Sequence, residues 1–445
     1  MKYNPSLHKL SNGVAVILDP MDIESTSVKV SFNTGSRDEA PHEYGITHFC
    51  EHMLCKGTKR FLTRKDITDF LQMYGGVTNA YTSVDELQFH GRILAKNLDK
   101  LIEVISDELQ NSLFDSDGIE LERIIILDEL RRAQDDKERQ ESDFISKMIF
   151  NSQLYSYQTL GTAENIKSFS KQRLLDWKNK RLSAKNCTIV ICGKIMNPDD
   201  VLAQLEKFFA FLPTHDVPTL QEPIYKPVIA HNSANQNKNV NICIMMPPLF
   251  KGDIKQRLEF KSERRFLRFL EDELYENIRQ KHGLVYNVKI SKFGGSDGLH
   301  LIETESAPQN VARVTELIAQ TCERVYNNNM ITDEWLQRLN AVYQLGDADW
   351  FDSWKARSSQ LLNYYRKYGS VYDCVADNKL GEAITVSDIV KYSRRLFDMP
   401  ISIITTGPDF NADLGAIWKR NFPNSNIAIA SNKIIKQIKN AELGR

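Results

Sequence analysis

The 445-residue chain has no run of 18 apolar residues, no CxxC pair and only seven cysteines. The first absence excludes a membrane-spanning helix. The other two argue against a secreted disulfide framework and for a reducing compartment. Glycine (21) and proline (14) are scarce, and aromatic residues make up 9%, which excludes a disordered or low-complexity chain. Excess charge of either sign is also missing. With 57 basic against 58 acidic side chains, a formal net charge of −1, the chain as a whole is neither a polycationic nucleic-acid binder nor a basic membrane-surface protein. The opening MKYNPSLH has neither a signal-peptide apolar core nor Arg/Ser-rich transit character. The expectation is therefore a bacterial cytoplasmic protein, with a processed organellar protein as the other option.

What is present is a mixture of strand and helix patterns. Short β-branched runs at Val14–Leu18 and Val28–Phe32 predict strands. Helices are predicted from about His42 to Lys56, closed by Gly57, and over Lys65–Met73, ended by Gly75-Gly76. Two strands follow over Val77–Leu94, joined around Ser83-Val84-Asp85, and then long helices over 98–112 and 118–149. The second of these is opened by the capping pattern Asp117-x-x-Glu120. A helix at 171–180, a buried strand at Cys187–Cys192 and a helix at 198–211 close the first half. Residues 213–238 hold Pro213, Pro218, Pro223 and Pro227 and then a polar stretch, which reads as a linker. Beyond it the order repeats: Val28 matches Val240 (offset 212), Asn97 matches Asn310 (213) and Asp117 matches Thr332 (215). The expected fold class is α+β, two homologous α/β units each with an antiparallel-rich sheet and helices packed on it. The expected domains are 1–212, a 213–238 linker, and 239–445.

The chemistry-bearing segment is His48-Phe49-Cys50-Glu51-His52. Histidines at i and i+4 share a helix face and can hold one metal ion, and imidazole suits Zn²⁺. Glu51 lies three residues after His48, close enough to serve a water at the same site. A catalytic zinc site needs a third protein ligand and an open position. Glu122 and Glu129 lie two helical turns apart on one face of a predicted helix, so one can bind metal while the other supports a ligand histidine. Spacing alone does not rank Glu122, Asp128 and Glu129.

The run from His48 to Thr58 resembles the zinc helix of the pitrilysin/insulinase metallopeptidases, in particular the branch containing the mitochondrial processing peptidase and its bacterial relatives. In that family 76 residues separate the motif from the third ligand. Residues 53–128 number 76, so the resemblance implies Glu129 as ligand beside His48 and His52, with Glu122 as its supporting acid. Asn79-Ala80-Tyr81-Thr82 is similar to the family's edge strand, which implies that Asn79 and Ala80 bind substrate in extended form. An edge strand with free N–H and C=O groups suits strand addition. Arg279-Gln280-Lys281-His282-Gly283-Leu284-Val285-Tyr286 resembles the family's arginine–tyrosine pair, which implies that Arg279 and Tyr286 donate to a developing oxyanion.

The resemblance implies one Zn²⁺ per chain, Glu51 as general base and acid, and cleavage of short or unfolded peptides. It also implies that the chain is half of a clam-like chamber, as a homodimer or a heterodimer. At the offsets found, the zinc-helix positions fall near Phe260 and Arg264-Arg265, and Glu129 falls near Gln344, so the second unit is expected to bind no metal. Cys50 and Cys55 stand where the family more often has larger apolar residues, and both read as packing groups. Two alternatives are a non-catalytic partner subunit of a processing-peptidase-like complex and a zinc-containing peptide-binding module.

Overall fold

The computed structural model describes residues 3–150, 159–218, 224–233, 237–249, 256–294 and 298–427. It contains two compact units. The first has a six-stranded mixed sheet in the order β1-β2-β6-β3-β5-β4. Its strands are β1 (Ser6–Lys9), β2 (Ala15–Pro20), β3 (Ser25–Phe32), β4 (Val77–Thr82), β5 (Leu87–Leu94) and β6 (Cys187–Gly193). The second has a five-stranded sheet in the order β7-β11-β8-β10-β9. Its strands are β7 (Ile229–Asn232), β8 (Val240–Met246), β9 (Val288–Phe293), β10 (Leu299–Ser306) and β11 (Ser402–Thr406). Read from β2 and β7 onward the two orders are the same, and β5 and β10 begin 212 residues apart, at Leu87 and Leu299. The duplicated α+β architecture is thus visible in the strand connectivity.

The helices are α1 (Ile46–Lys56), α2 (Arg64–Met73), α3 (Leu98–Asn111), α4 (Ser116–Asp135), α5 (Lys137–Ile149), α6 (Ala163–Ser168), α7 (Lys171–Arg181) and α8 (Pro198–Phe209). After the first half come α9 (Arg257–Leu274), α10 (Val311–Asn327), α11 (Asp333–Asp352), α12 (Trp354–Tyr368), α13 (Cys374–Glu382), α14 (Val386–Phe397) and α15 (Leu414–Asn421). Where one helix is predicted over 118–149 there are two, because the Asp136 side chain accepts from the backbone N–H groups of Glu138 and Arg139 and starts a new helix.

That break matters for the division of the chain. The first unit comprises 1–135, 157–222 and 345–372, and the second comprises 136–156, 223–344 and 373–445. The compact units therefore differ from contiguous halves: α5 belongs to the second unit and α12 to the first. Part of the 213–238 segment lies outside the described residues, and the part that is described contains β7.

Strand alternation explains why a helix must be imported. In β2, Val16 and Leu18 point into the main core of the first unit, while Ile17 and Asp19, also fully buried, face the opposite side of the sheet. That second face is covered by α12, whose Arg357 pairs with Asp19. In the second unit α5 plays the same part: Phe144, Ile145 and Ile149 pack on Cys243, Met245 and Ile404. Both sheets are covered on two faces, and central strands such as β6 and β8 are buried along their whole length.

Candidate metal centre and active site

The histidine-bearing helix begins later than the sequence predicts. Gly45 takes φ 93°, and a Cβ there would lie 2.7 Å from the Leu160 carbonyl oxygen. Helical geometry therefore starts at Ile46, and 41–43 form a separate 3₁₀ turn. The open N-terminus of α1 is served by Glu39, whose carboxylate accepts from the N–H of Gly45 (2.7 Å) and of Thr47 (2.8 Å). Burial pushes the Glu39 carboxyl up to about 8, against the pull of the Thr47 and Gly45 hydrogen bonds.

Helical periodicity then sorts the side chains of α1. Ile46, Phe49, Cys50, Met53 and Leu54 enter the core, whereas His48, Glu51, His52 and Cys55 remain half-buried. Facing them, α4 reverses the usual polarity. Its Glu122 is 9% exposed while Leu121 and Ile124 are 51% and 66% exposed. A buried carboxylate beside exposed leucine and isoleucine requires a polar partner, and Glu122 has two. Its Oε2 meets Nδ1 of His52 at 2.9 Å, and its Oε1 accepts from Nζ of Lys56 at 2.8 Å.

With Nδ1 taken, Nε2 of His52 points to Glu129, 3.7 Å from its Oε2; Nε2 of His48 lies 3.8 Å from the same oxygen. Among the described residues, His48, His52 and Glu129 are the one group of three metal-ligating side chains whose ligand atoms all lie within 4.8 Å of one another. Metal–ligand bonds of roughly 2.0–2.2 Å in tetrahedral array set donor atoms roughly 3.3–3.6 Å apart, so two imidazoles and a carboxylate within 4.8 Å of one another are a donor set that fits Zn²⁺ once the three draw together. The three acidic candidates on α4 are separated by their partners. Glu122 holds His52, Asp128 pairs with Arg131 and Arg132 at 2.6 Å each, and Glu129 faces the histidines. Burial opposes protonation of His52, but the Glu122 hydrogen bond and the charges of Glu129, Glu122 and Glu51 together raise its pKa.

Glu51 is not one of the three. Burial raises its pKa, opposed chiefly by a hydrogen bond from Thr82, whose hydroxyl lies 2.5 Å from Oε2. Beside it opens a cavity of about 560 Å³ that brings Glu51, His52 and Glu122 together with Asn79 and Ala80 of β4, over a floor that includes Cys55, Leu62 and Leu121. β4 is the edge of its sheet among the described strands, paired only with β5. Cys55 lines this cavity without entering the ligand trio, and burial raises its thiol well above the ordinary value. Cys50 is fully buried, its Sγ 3.4 Å from the Leu174 carbonyl.

In the second unit, Arg279 lies on the π-helical turn Tyr275–Lys281, with its guanidinium 5.5 Å from the ring centre of Tyr286. Sequence alone assigns no role to Lys56 or Thr82. Lys56 was open to inference, since it follows His52 by one helical turn on the side facing Glu122. Thr82 was not, because only the packing of β4 beside α1 brings it to Glu51.

Fold and site together define a class: a duplicated α+β protein with, among the described residues, one three-residue candidate metal centre, borne by its first unit. Residues 14–163 match the family model described as insulinase (peptidase family M16), and residues 168–343 match the peptidase M16 inactive domain. The chain belongs to the insulinase family of peptidases, family M16. It is 25% identical over 416 residues to an uncharacterized zinc protease of Rickettsia bellii, covering 92% of this chain and 99% of that one. It is 31% identical over 201 residues to the mitochondrial-processing peptidase subunit beta of Dictyostelium discoideum, covering 45% of this chain and 43% of that one. The fold is similar to the periplasmic protease PqqL of Escherichia coli (TM-score 0.79, 16% identity), covering 99% of this chain and 52% of that one. No described helix is long and apolar enough to cross a membrane.

Proposed function

We propose that the protein is a zinc-dependent endopeptidase, an inverted zincin of the His-x-x-Glu-His type, that cuts short or unfolded peptides. One observation carries the reading: two histidines and Glu129 converge while Glu51, on the same helix, stays outside the ligand trio and borders the cavity. His48, His52 and Glu129 would hold one Zn²⁺ per chain, with Glu122 orienting His52 through Nδ1. When bound, the ion supplies Lewis-acid polarisation of the scissile carbonyl and a lowered pKa for water.

The chain's own groups do the rest. Glu51 takes a proton from the attacking water on its carboxylate and later delivers it to the leaving amine. Asn79 and Ala80 on β4 align the peptide as an added strand. Arg279 and Tyr286 donate to the oxyanion that develops on the carbonyl oxygen. Two copies of this chain would carry as many units as a PqqL-length chain, which supports a homodimer enclosing a chamber, with a heterodimer as the second option.

The test is cleavage of an unstructured fluorogenic peptide by wild type, by Glu51→Gln and by chelator-treated protein. Zinc-dependent turnover that Glu51→Gln abolishes without loss of bound metal is expected. Turnover unchanged in both perturbed samples rejects the assignment. Peptide binding without turnover, indifferent to metal, would instead favour the peptide-binding module.

A further inference from the structure

The aim of the Glu51 carboxylate depends on a residue outside the helix that carries it. Thr82, the last residue of β4, donates its hydroxyl hydrogen to Oε2 of Glu51 at 2.5 Å. Immediately after Thr82 the chain turns through Ser83–Glu86 into β5, and this turn is held from two sides. On one side the N–H groups of Ser36 and Arg37 donate to the carbonyls of Ser83 (3.0 Å) and Val84 (3.1 Å). Gly35 approaches so closely there that a Cβ would lie 2.4 Å from the Val84 oxygen. On the other side stands Arg366 of α12. Its guanidinium donates to Glu86 (2.7 Å), to the Asp85 carbonyl (2.7 Å) and to Asn33 (2.8 Å). Arg366 and Glu86 side chains are 14% and 12% exposed, so this is a mostly desolvated, three-point grip. A helix from the far half of the chain thereby fixes the turn that fixes Thr82.

We propose that Thr82 is a positioning residue for Glu51, and that Arg366 acts through it by holding the Ser83–Glu86 turn. The inference rests on the peptidase reading. A carboxylate has two equivalent oxygens and a free χ3. Pinning Oε2 removes that rotation and leaves Oε1 to handle the proton. Thr82 also belongs to the strand on which the peptide would be laid, so one rigid element would align both the base and the bond to be cut. A misplacement of about 1 Å at such a site costs on the order of 10²-fold in rate. A hydroxyl that merely satisfied a half-buried carboxylate would affect stability and leave kcat alone.

The experiment uses the zinc-loaded full chain and the same fluorogenic peptide. Thr82→Val is expected to lower kcat by roughly 10- to 100-fold, with KM within about twofold and zinc content unchanged. Thr82→Ser should recover kcat to within about threefold of wild type, and Arg366→Gln should lower it by roughly three- to tenfold. The double variant Thr82→Val/Arg366→Gln should be no slower than Thr82→Val. A second readout does not depend on turnover: in metal-free protein, the Tm shifts of Thr82→Val and Glu51→Ala should be non-additive, because each removes the same contact. Wild-type kcat in Thr82→Val, no recovery in Thr82→Ser, or multiplying effects in the double variant would overturn the proposal. A wild type without zinc-dependent turnover counts against the peptidase reading itself. Additive Tm shifts would then separately remove the Thr82–Glu51 link.

Discussion

Asp19 and Arg357, 338 positions apart in the chain, form a bidentate ion pair in the first unit; Nε lies 2.8 Å from Oδ2, and the residues are 0% and 2% exposed. Sγ of Cys192 adds a 3.3 Å contact to the same carboxylate. The first unit's sheet thus depends on a helix made after most of the second unit. Asp19→Asn or Arg357→Met alone is expected to destabilise the first unit by about 3–5 kcal/mol, because each strands a buried charge. The double variant should recover much of that loss. Urea unfolding of the four proteins measures the difference.

Removing Glu122 should loosen the metal without abolishing the site. Glu122→Gln keeps an acceptor near Nδ1 of His52 but loses the charge that holds both His52 and Lys56. Zinc affinity is expected to fall by roughly 10- to 100-fold, read by competition with a chelator. His48→Ala, His52→Ala and Glu129→Ala remove ligands outright and should leave no stoichiometric zinc.

Glu39 makes stability depend on pH. Its folded pKa of about 8 stands above the ordinary 4.5, so the folded chain binds a proton that the unfolded chain has released. Its contribution is full below pH 4.5 and is lost as pH rises through 8, with a slope of up to about 1.4 kcal/mol per pH unit between them. Thermal melts of metal-free wild type against Glu39→Gln, from pH 5 to pH 9, should show the gap between the two narrowing as pH rises.

Tyr286 is 86% exposed, so Tyr286→Phe carries little risk to the fold. Loss of its phenol donor is expected to lower kcat by roughly 10²-fold with zinc retained. Arg279→Lys should also slow turnover, since a lysine cannot reproduce the planar fork. Full activity in both would remove the pair from the mechanism.

Several features are legible in the sequence alone. The i, i+4 histidines and the flanking apolar residues of α1 follow from helical periodicity. The duplication follows from near-constant sequence offsets of 212–215, and the matched strands of the two sheets begin 211–215 residues apart. Boundaries were less legible: α1 begins at Ile46 because Gly45 is left-handed against Leu160, and the long helix breaks at Asp136 because a short side chain caps a new one. On α4, spacing left Glu122, Asp128 and Glu129 equal. Family register pointed to Glu129, and the physical distinction comes from neighbours, an imidazole for one and two arginines for another.

By itself, then, the sequence determined what is local and periodic: the lack of an apolar run long enough for a membrane-spanning helix, the strand and helix runs, and two histidines on one helix face. Tertiary structure decided what depends on contacts between separate elements, over sequence separations from 31 to 338 positions. It put α12 on the first unit's sheet, Arg366 on the Ser83–Glu86 turn and the Thr82 hydroxyl on Glu51. The reason is physical. Side-chain period specifies which face of an element is buried, but which element covers that face follows from the packing of the whole chain.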